Sequence, residues 1–146
     1  KFTNILFPTD FSDASVYAAT YALALARSNR AKLHALHVLD TSNEAAGFYV
    51  AHISYENLDK EMLLSAREML KKFCAEHFKG FKFLEQSVAA GMPHKEILKT
   101  IKSTGVDLVV MGTFGKKGLE RVLIGSTTER VMRNAECPAL IIPPGR

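Results

Sequence analysis

The sequence lacks the features that mark several classes of protein. Its two cysteines, Cys74 and Cys137, lie far apart and form no C-x-x-C pair, so we expect reduced thiols in a cytoplasmic protein. No apolar run approaches the roughly 18 residues of a membrane-spanning helix, and the first residues lack the apolar segment of a signal peptide. No run of five like charges occurs either. We therefore expect neither nucleic acid nor a membrane as a partner.

What the sequence does contain is typical of one folded domain. The chain has 146 residues, of which 47% are hydrophobic, and a net charge of +4. This length is enough to bury a single core, and the composition is too apolar for a disordered protein. We find no internal repeat, low-complexity segment or linker. Residues 1–146 are therefore expected to form a single domain.

Apolar strand-like runs alternate with helical patterns along the chain. Strands are expected at residues 2–7, 31–39, 82–90, 106–111 and 138–143. Helices are expected at residues 12–29, 91–105 and 127–135, with a longer one that ends near Gly80. Ser12 or Asp13 can cap the first helix. The long helix carries an apolar stripe that we expect to face the core, made of Leu58, Met62, Ala66, Met69 and Phe73.

This alternation predicts an α/β fold, an open parallel sheet with helices on both faces. The fourth strand, V-D-L-V-V-M, is apolar enough to be covered on both faces, whereas the third is more polar and is expected near an edge. Such sheets bind ligands beyond the carboxyl ends of their strands. Two turns are expected there, F-P-T-D-F-S-D at 7–13 and the stretch after the fourth strand.

That second stretch, residues 111–130, reads M-G-T-F-G-K-K-G-L-E-R-V-L-I-G-S-T-T-E-R. Gly112 and Gly115 permit positive φ and a close approach of ligand to the backbone, and successive N–H groups there can bind an anion. Gly125 and Ser126 precede the last helix, whose free N–H groups and dipole favour a phosphate. The cations Lys116, Lys117 and Arg121 can add charge.

A structural interpretation of the same residues stays open. Ser126 and Glu129 match the S-x-x-E capping box, which would satisfy the helix N–H groups without a ligand. Other phosphate-binding motifs fail. The spacing before Gly115-Lys116 does not fit a P-loop, and the turn at 7–13 contains no glycine for a Rossmann fingerprint. A response-regulator receiver would need an aspartate after the third strand, which ends in A-A-G.

With these residues in view, the chain resembles the universal stress protein family over essentially its whole length. The resemblance rests on I-L-F-P-T-D-F-S-D-A-S near the start, L-H-V-L-D at the end of the second strand, and the segment from Asp107 to Pro143. The ATP-binding branch of that family carries G-2x-G-9x-G-[ST], and Gly112, Gly115 and Gly125-Ser126 match it. Phe114 departs from the pattern, since many relatives carry histidine there.

The resemblance implies a Rossmann-like fold of the adenine nucleotide α-hydrolase type, with strand order 3-2-1-4-5. It also implies that ATP or a related adenine nucleotide binds, with Mg²⁺ or Mn²⁺ bridging its phosphates. The implied nucleotide-binding residues are Pro8, Thr9, Asp10, Val38, Met111, Gly112, Gly115, Lys116, Gly125, Ser126 and Thr127. Each has a structural alternative: Asp10 as an Asx-turn or cap, Pro8 as a strand end, Val38 as core, and Lys116 as a solvated charge.

Three functions are compatible with this resemblance. The first is a regulatory stress-response protein that dimerises through its last strand, with nucleotide acting on residues 113–124 as a switch. The second is an ATP hydrolase, whose turnover would be slow because no acidic residue is expected beside the γ-phosphate. The third is a structural dimer that binds no nucleotide. We expect no protein metal site, because His34 and His37 are three apart on a strand and so face opposite sides.

Overall fold

The computed structural model describes residues 1–42, 55–113 and 124–145, without the side chains of 55–59. In these residues the chain alternates five strands with four helices. The strands are β1 Asn4–Pro8, β2 Lys32–Asp40, β3 Leu84–Gly91, β4 Leu108–Gly112 and β5 Ala139–Ile142. The helices are α1 Asp13–Asn29, α2 Tyr55–His77, α3 Pro93–Thr104 and α4 Ser126–Asn134. None of these helices is long and apolar enough to cross a membrane.

The strands form one parallel sheet in the order β3-β2-β1-β4-β5. In the centre, Ile5 of β1 pairs with Leu33 of β2 on one side and with Leu108 of β4 on the other. The fold class and strand order expected from the sequence are therefore confirmed. The polar third strand lies at one edge, as predicted, and β5 lies at the other.

Successive side chains along each strand point to opposite faces of the sheet, and they contribute to two separate cores. Ile5 and Phe7 pack with α1 and α2 on one face, which we call the first face. Leu6 packs with α3 and α4 on the second face. On the first face, the rings of Phe7, Phe73 and Phe78 pack with centroids 5.6–6.2 Å apart. Both faces of the sheet are thus covered by helices, as a parallel sheet requires.

Helix α1 packs closely on the sheet because its buried side is built from alanines. Ala14, Ala18, Ala22 and Ala26 are buried there. The side chain of Ser12 caps the helix by accepting a hydrogen bond from the Ser15 N–H at 3.2 Å. The first turn of α1 is therefore fixed close to the end of β4.

The apolar stripe expected on α2 is wrong in its phase. Met62 and Met69 are 40% and 50% exposed, whereas Leu70 and Cys74 are buried beside Ala66. Ala66 and Phe73 belong to both patterns, and periodicity alone therefore left two stripes open. The structure chooses the stripe that places Leu70 against the first face.

Candidate functional site

A cavity of about 790 Å³ opens at the carboxyl ends of β1, β2 and β4, beside the first turns of α1 and α4. This is within the size range of small-molecule pockets, roughly 300–1,000 Å³. Two of the predicted nucleotide-binding residues, Gly115 and Lys116, lie outside the described residues. The structure brings the other nine together along the cavity: Pro8, Thr9, Asp10, Val38, Met111, Gly112, Gly125, Ser126 and Thr127.

The turn between β1 and α1 is held by hydrogen bonds of its own. The Thr9 N–H donates to the Leu36 carbonyl at 2.8 Å, and the Thr9 hydroxyl accepts from the Phe11 N–H at 3.0 Å. Asp10 Oδ1 accepts from the Ser12 N–H at 3.0 Å, which is the Asx-turn weighed as its structural alternative. Phe11 adopts φ 65°. The exposed Asp10 carboxylate thus stabilises the turn and also lines the cavity.

The end of β2 supplies the part of the lining next to this turn. Val38 packs against the second-face core, which was its structural alternative, and it also borders the cavity. His37 lines the cavity as well, and its ring stacks on Phe11 with centroids 4.4 Å apart. His37 Nδ1 lies 2.8 Å from the Thr9 carbonyl. Since a carbonyl only accepts, Nδ1 carries the proton and donates.

His34, three residues earlier on β2, is buried away from this cavity. Its Nε2 lies 2.7 Å from the Ser87 hydroxyl on β3. Burial lowers the pKa of His34, and the charge of Lys32 lowers it further, while Glu85 opposes both. Among the described residues, no group of three or more His, Cys, Asp or Glu side chains could hold a metal ion.

Gly112 ends β4 where the strand meets the first turn of α1. A Cβ placed on Gly112 would lie 2.6 Å from the Ala14 carbonyl oxygen. The described glycines with positive φ are Gly80, Gly91 and Gly105. Gly112 thus does not adopt the positive φ that glycine permits: its missing Cβ serves the close approach of two backbones.

The N-terminus of α4 points its first turn at the cavity without a side-chain cap. Gly125 is the N-cap residue, with φ −69° and ψ 161°, and the first helical hydrogen bond runs from the Glu129 N–H to the Gly125 carbonyl at 3.0 Å. The capping box considered above is not formed, because Ser126 is already the first helical residue. Glu129 instead pairs with Arg133 at 2.9 Å. No described side chain accepts from the first N–H groups of α4.

Four buried residues with hydroxyl groups line the cavity: Thr9, Ser15, Thr113 and Thr128. Thr128 Oγ1 donates to the Gly112 carbonyl at 3.1 Å, and Ser15 bonds Thr9. Thr113 Oγ1 has no hydrogen-bond partner among the described residues. Sequence reasoning passed over Thr113, Thr128 and His37, although each of them directly neighbours a predicted residue.

Charge is unevenly distributed around the described lining. Asp10, Asp13 and Asp40 contribute three carboxylates on the side of β1, α1 and β2. No lysine or arginine lines the cavity within the described ranges, and Lys117 and Arg121 lie outside those ranges. The N-terminus of α4 has positive character, as do the first turns of α1 and α3 that also border the cavity. An anionic group would therefore be favoured beside the first turn of α4 and disfavoured beside Asp10 and Asp40.

Comparison with known proteins finds relatives over nearly the whole chain. The chain is 38% identical to the universal stress protein MJ0531 of Methanocaldococcus jannaschii over 143 residues, which cover 97% of this chain and 82% of that protein. It is 34% identical to the universal stress protein YxiE of Bacillus subtilis, covering 97% of this chain and 99% of that one.

Solved structures share the fold. The structure of MJ0577 superimposes with a TM-score of 0.79 at 28% identity, covering 99% of this chain and 98% of that one. A universal stress protein family protein from Arabidopsis thaliana with AMP bound has a TM-score of 0.61 at 22% identity, covering 98% and 92%. A universal stress protein in complex with cAMP has a TM-score of 0.62 at 22% identity, covering 99% of each chain.

The sequence model of the Universal stress protein family matches residues 1–143. This match, the curated relatives and the shared strand order agree with one another. The chain belongs to the universal stress protein family.

Proposed function

We propose that this chain binds an adenine nucleotide, ATP or a close relative, in the cavity at the carboxyl ends of β1, β2 and β4. The observation that carries the proposal is the α4 N-terminus, which faces this cavity with no side-chain cap from the described residues, although S-x-x-E offers one. Uncapped N–H groups at a helix start are suited to a phosphate. Two relatives of the same fold were solved with AMP or cAMP bound, which supports the choice of an adenine nucleotide.

The charge distribution orients the proposed ligand. Phosphates would be repelled by the carboxylates of Asp10 and Asp40 and attracted by the α4 N-terminus. The nucleoside would then lie against the β1 and β2 ends, where carboxylates accept hydrogen bonds from hydroxyl or amino groups. The triphosphate would extend past Gly112 toward Gly125. The position that a Cβ of Gly112 would take is packed against α1.

In this arrangement Pro8, Thr9, Asp10 and Val38 would border the nucleoside. Met111, Gly112, Gly125, Ser126 and Thr127 would border the ribose and the phosphates, and the proposed roles of Gly115 and Lys116 stay predictions. A divalent ion would be held mainly by phosphate oxygens and water, as Mg²⁺ usually is. Such an ion would neutralise part of the phosphate charge.

The test is calorimetric titration of nucleotide-stripped protein with ATP, AMP and adenosine, with and without Mg²⁺. We expect micromolar binding of ATP and its loss in Gly125→Val, because a branched side chain at the N-cap would occupy the phosphate position. Valine adopts the observed φ and ψ of Gly125 readily, so the variant should stay folded by circular dichroism. Absence of binding in the wild type would leave the structural dimer as the better description. Phosphate release measured in parallel separates a slow hydrolase from a binding protein.

We also propose that the chain acts as a homodimeric regulator that pairs through β5. This strand is an edge of the sheet, and Leu140 on it is 37% exposed. Unprotected apolar edge strands tend to pair. Leu140→Lys should therefore shift the protein from dimer to monomer in light scattering, whereas Leu64→Lys, at a site 60% exposed on α2, should not. A wild type that is monomeric at all concentrations would rule out this mode of regulation.

A further inference from the structure

We infer that the Thr113 hydroxyl is a binding group for a phosphate oxygen of the ligand. This inference rests on the proposed function and adds one residue to it. Thr113 occupies a variable position of the glycine motif, between Gly112 and Gly115, and it was not among the predicted site residues. Its side chain is 4% exposed and lines the cavity directly after β4.

The inference starts from the cost of an unpaired buried hydroxyl. Such a group without a partner destabilises the folded state, and buried polar groups in folded proteins are therefore almost always hydrogen-bonded. The neighbouring hydroxyls of Thr9, Ser15 and Thr128 follow this rule. Thr113 Oγ1 is the one buried side-chain oxygen or nitrogen without a partner in the described part of the chain.

The backbone around Thr113 fixes where its side chain can reach. The Thr113 N–H donates to the Ile142 carbonyl at 3.1 Å, which ties the residue to β5. The preceding carbonyl, of Gly112, accepts from the Thr128 hydroxyl in the first turn of α4. Thr113 is therefore held next to the N-terminus of α4, the part of the cavity that favours negative charge.

A hydroxyl beside helix N–H groups places several hydrogen-bond donors close together. An anionic oxygen suits such an environment, because it accepts several hydrogen bonds at once. A ribose hydroxyl would be better served beside Asp10 and Asp40, whose carboxylates accept hydrogen bonds. We therefore assign Thr113 to the phosphate, with its χ1 torsion turning Oγ1 toward the ligand when the nucleotide binds.

The experiment compares Thr113→Val with Thr128→Val in the full chain. Valine keeps the shape of threonine and removes the hydroxyl. Thr113→Val should weaken ATP binding about tenfold or more, as expected for a lost hydrogen bond to a charged group, and should leave adenosine binding unchanged. Its melting temperature without ligand should equal or exceed that of the wild type. Thr128→Val removes a hydrogen bond that is made, so its melting temperature should fall.

Thr113→Ser restores the hydroxyl and should recover ATP affinity to within a few-fold. A Thr113→Val protein that binds ATP as well as the wild type overturns the inference while the proposed function stands. A lower melting temperature together with unchanged ATP affinity shows that the hydroxyl is bonded within the protein and also overturns it. Equal losses for ATP and adenosine would place the hydroxyl on the ribose and refute the phosphate assignment. A wild type that binds no nucleotide refutes the proposed function itself.

Discussion

Replacing Gly125 by aspartate should make the protein more stable and less able to bind ATP. Gly125 is the N-cap of α4 and has extended backbone angles that any residue adopts. An aspartate there can accept from the N–H groups that no described side chain uses. It would occupy the position that we propose for a phosphate, and one substitution thus acts on stability and binding in opposite directions.

The sizes of both effects follow from the geometry. Aspartate is a better N-cap than glycine by a few tenths of a kcal/mol, and a negative charge at a helix N-terminus adds about 0.3–1 kcal/mol. Together these should raise the melting temperature by roughly 2–5 °C. A carboxylate about 4 Å from a phosphate oxygen is repelled by about 4 kcal/mol at an effective dielectric constant of 20. ATP affinity should therefore fall by about 10³-fold.

The assays are thermal unfolding by circular dichroism without ligand and calorimetric titration with ATP. Gly125→Asn is the matched control: it caps α4 without a charge, so it should stabilise the protein less and weaken ATP binding less than Gly125→Asp. An unchanged or lower melting temperature for Gly125→Asp would show that the α4 N–H groups already have partners. Unchanged ATP affinity would show that the phosphates lie elsewhere. Either result refutes the reasoning.

Three further predictions concern the scaffold. Gly112→Ala should lower the free energy of unfolding, measured in urea, by about 1–3 kcal/mol, because its Cβ would meet the Ala14 carbonyl at 2.6 Å. An unchanged free energy of unfolding would contradict this contact. Leu70→Ala should lower the free energy of unfolding by about 2–5 kcal/mol, and Met69→Ala should lower it by less than about 1 kcal/mol, since Leu70 is 1% and Met69 50% exposed. If Met69→Ala were the more destabilising of the two, the stripe expected from the sequence would be the correct one. The lowered pKa of His34 means that the unfolded chain protonates first, so stability should fall as pH drops below about 6.5. His34→Gln should flatten that dependence in urea titrations between pH 8 and pH 5, and an unchanged slope would exclude His34 as its source.

The sequence predicts most of the fold because strand and helix patterns are local. Runs such as V-D-L-V-V-M are strongly apolar, and each becomes a central or edge strand with ends shifted by a few residues. The strand order is different: it came from the resemblance to the family, since periodicity carries no information about which strands are neighbours. The prediction of which side of α2 faces the core was wrong for a related reason. Two apolar stripes share Ala66 and Phe73, and only packing against the sheet selects the one with Leu70.

The cavity could be predicted in outline and not in its chemical detail. The glycine spacing indicated which turns meet, and the described members of that set do line one cavity. The capping box was a plausible alternative that a shift of one residue removed, because Gly125 and not Ser126 occupies the N-cap. The unpartnered Thr113 hydroxyl had no signal at all in the sequence. Hydrogen-bond satisfaction is a property of three-dimensional neighbours, and residue spacing does not record it.

The contact between Gly112 and α1 has a consequence for how the family diverges. Any side chain at Gly112 would collide with the Ala14 backbone whether or not a ligand is present. Selection for folding alone should therefore retain this glycine in lineages that have abandoned nucleotides. Gly125 has backbone angles that any residue adopts, so its backbone conformation does not require glycine. A bulky or acidic residue at the position of Gly125, beside a retained glycine at that of Gly112, should then mark the relatives in which binding has been lost.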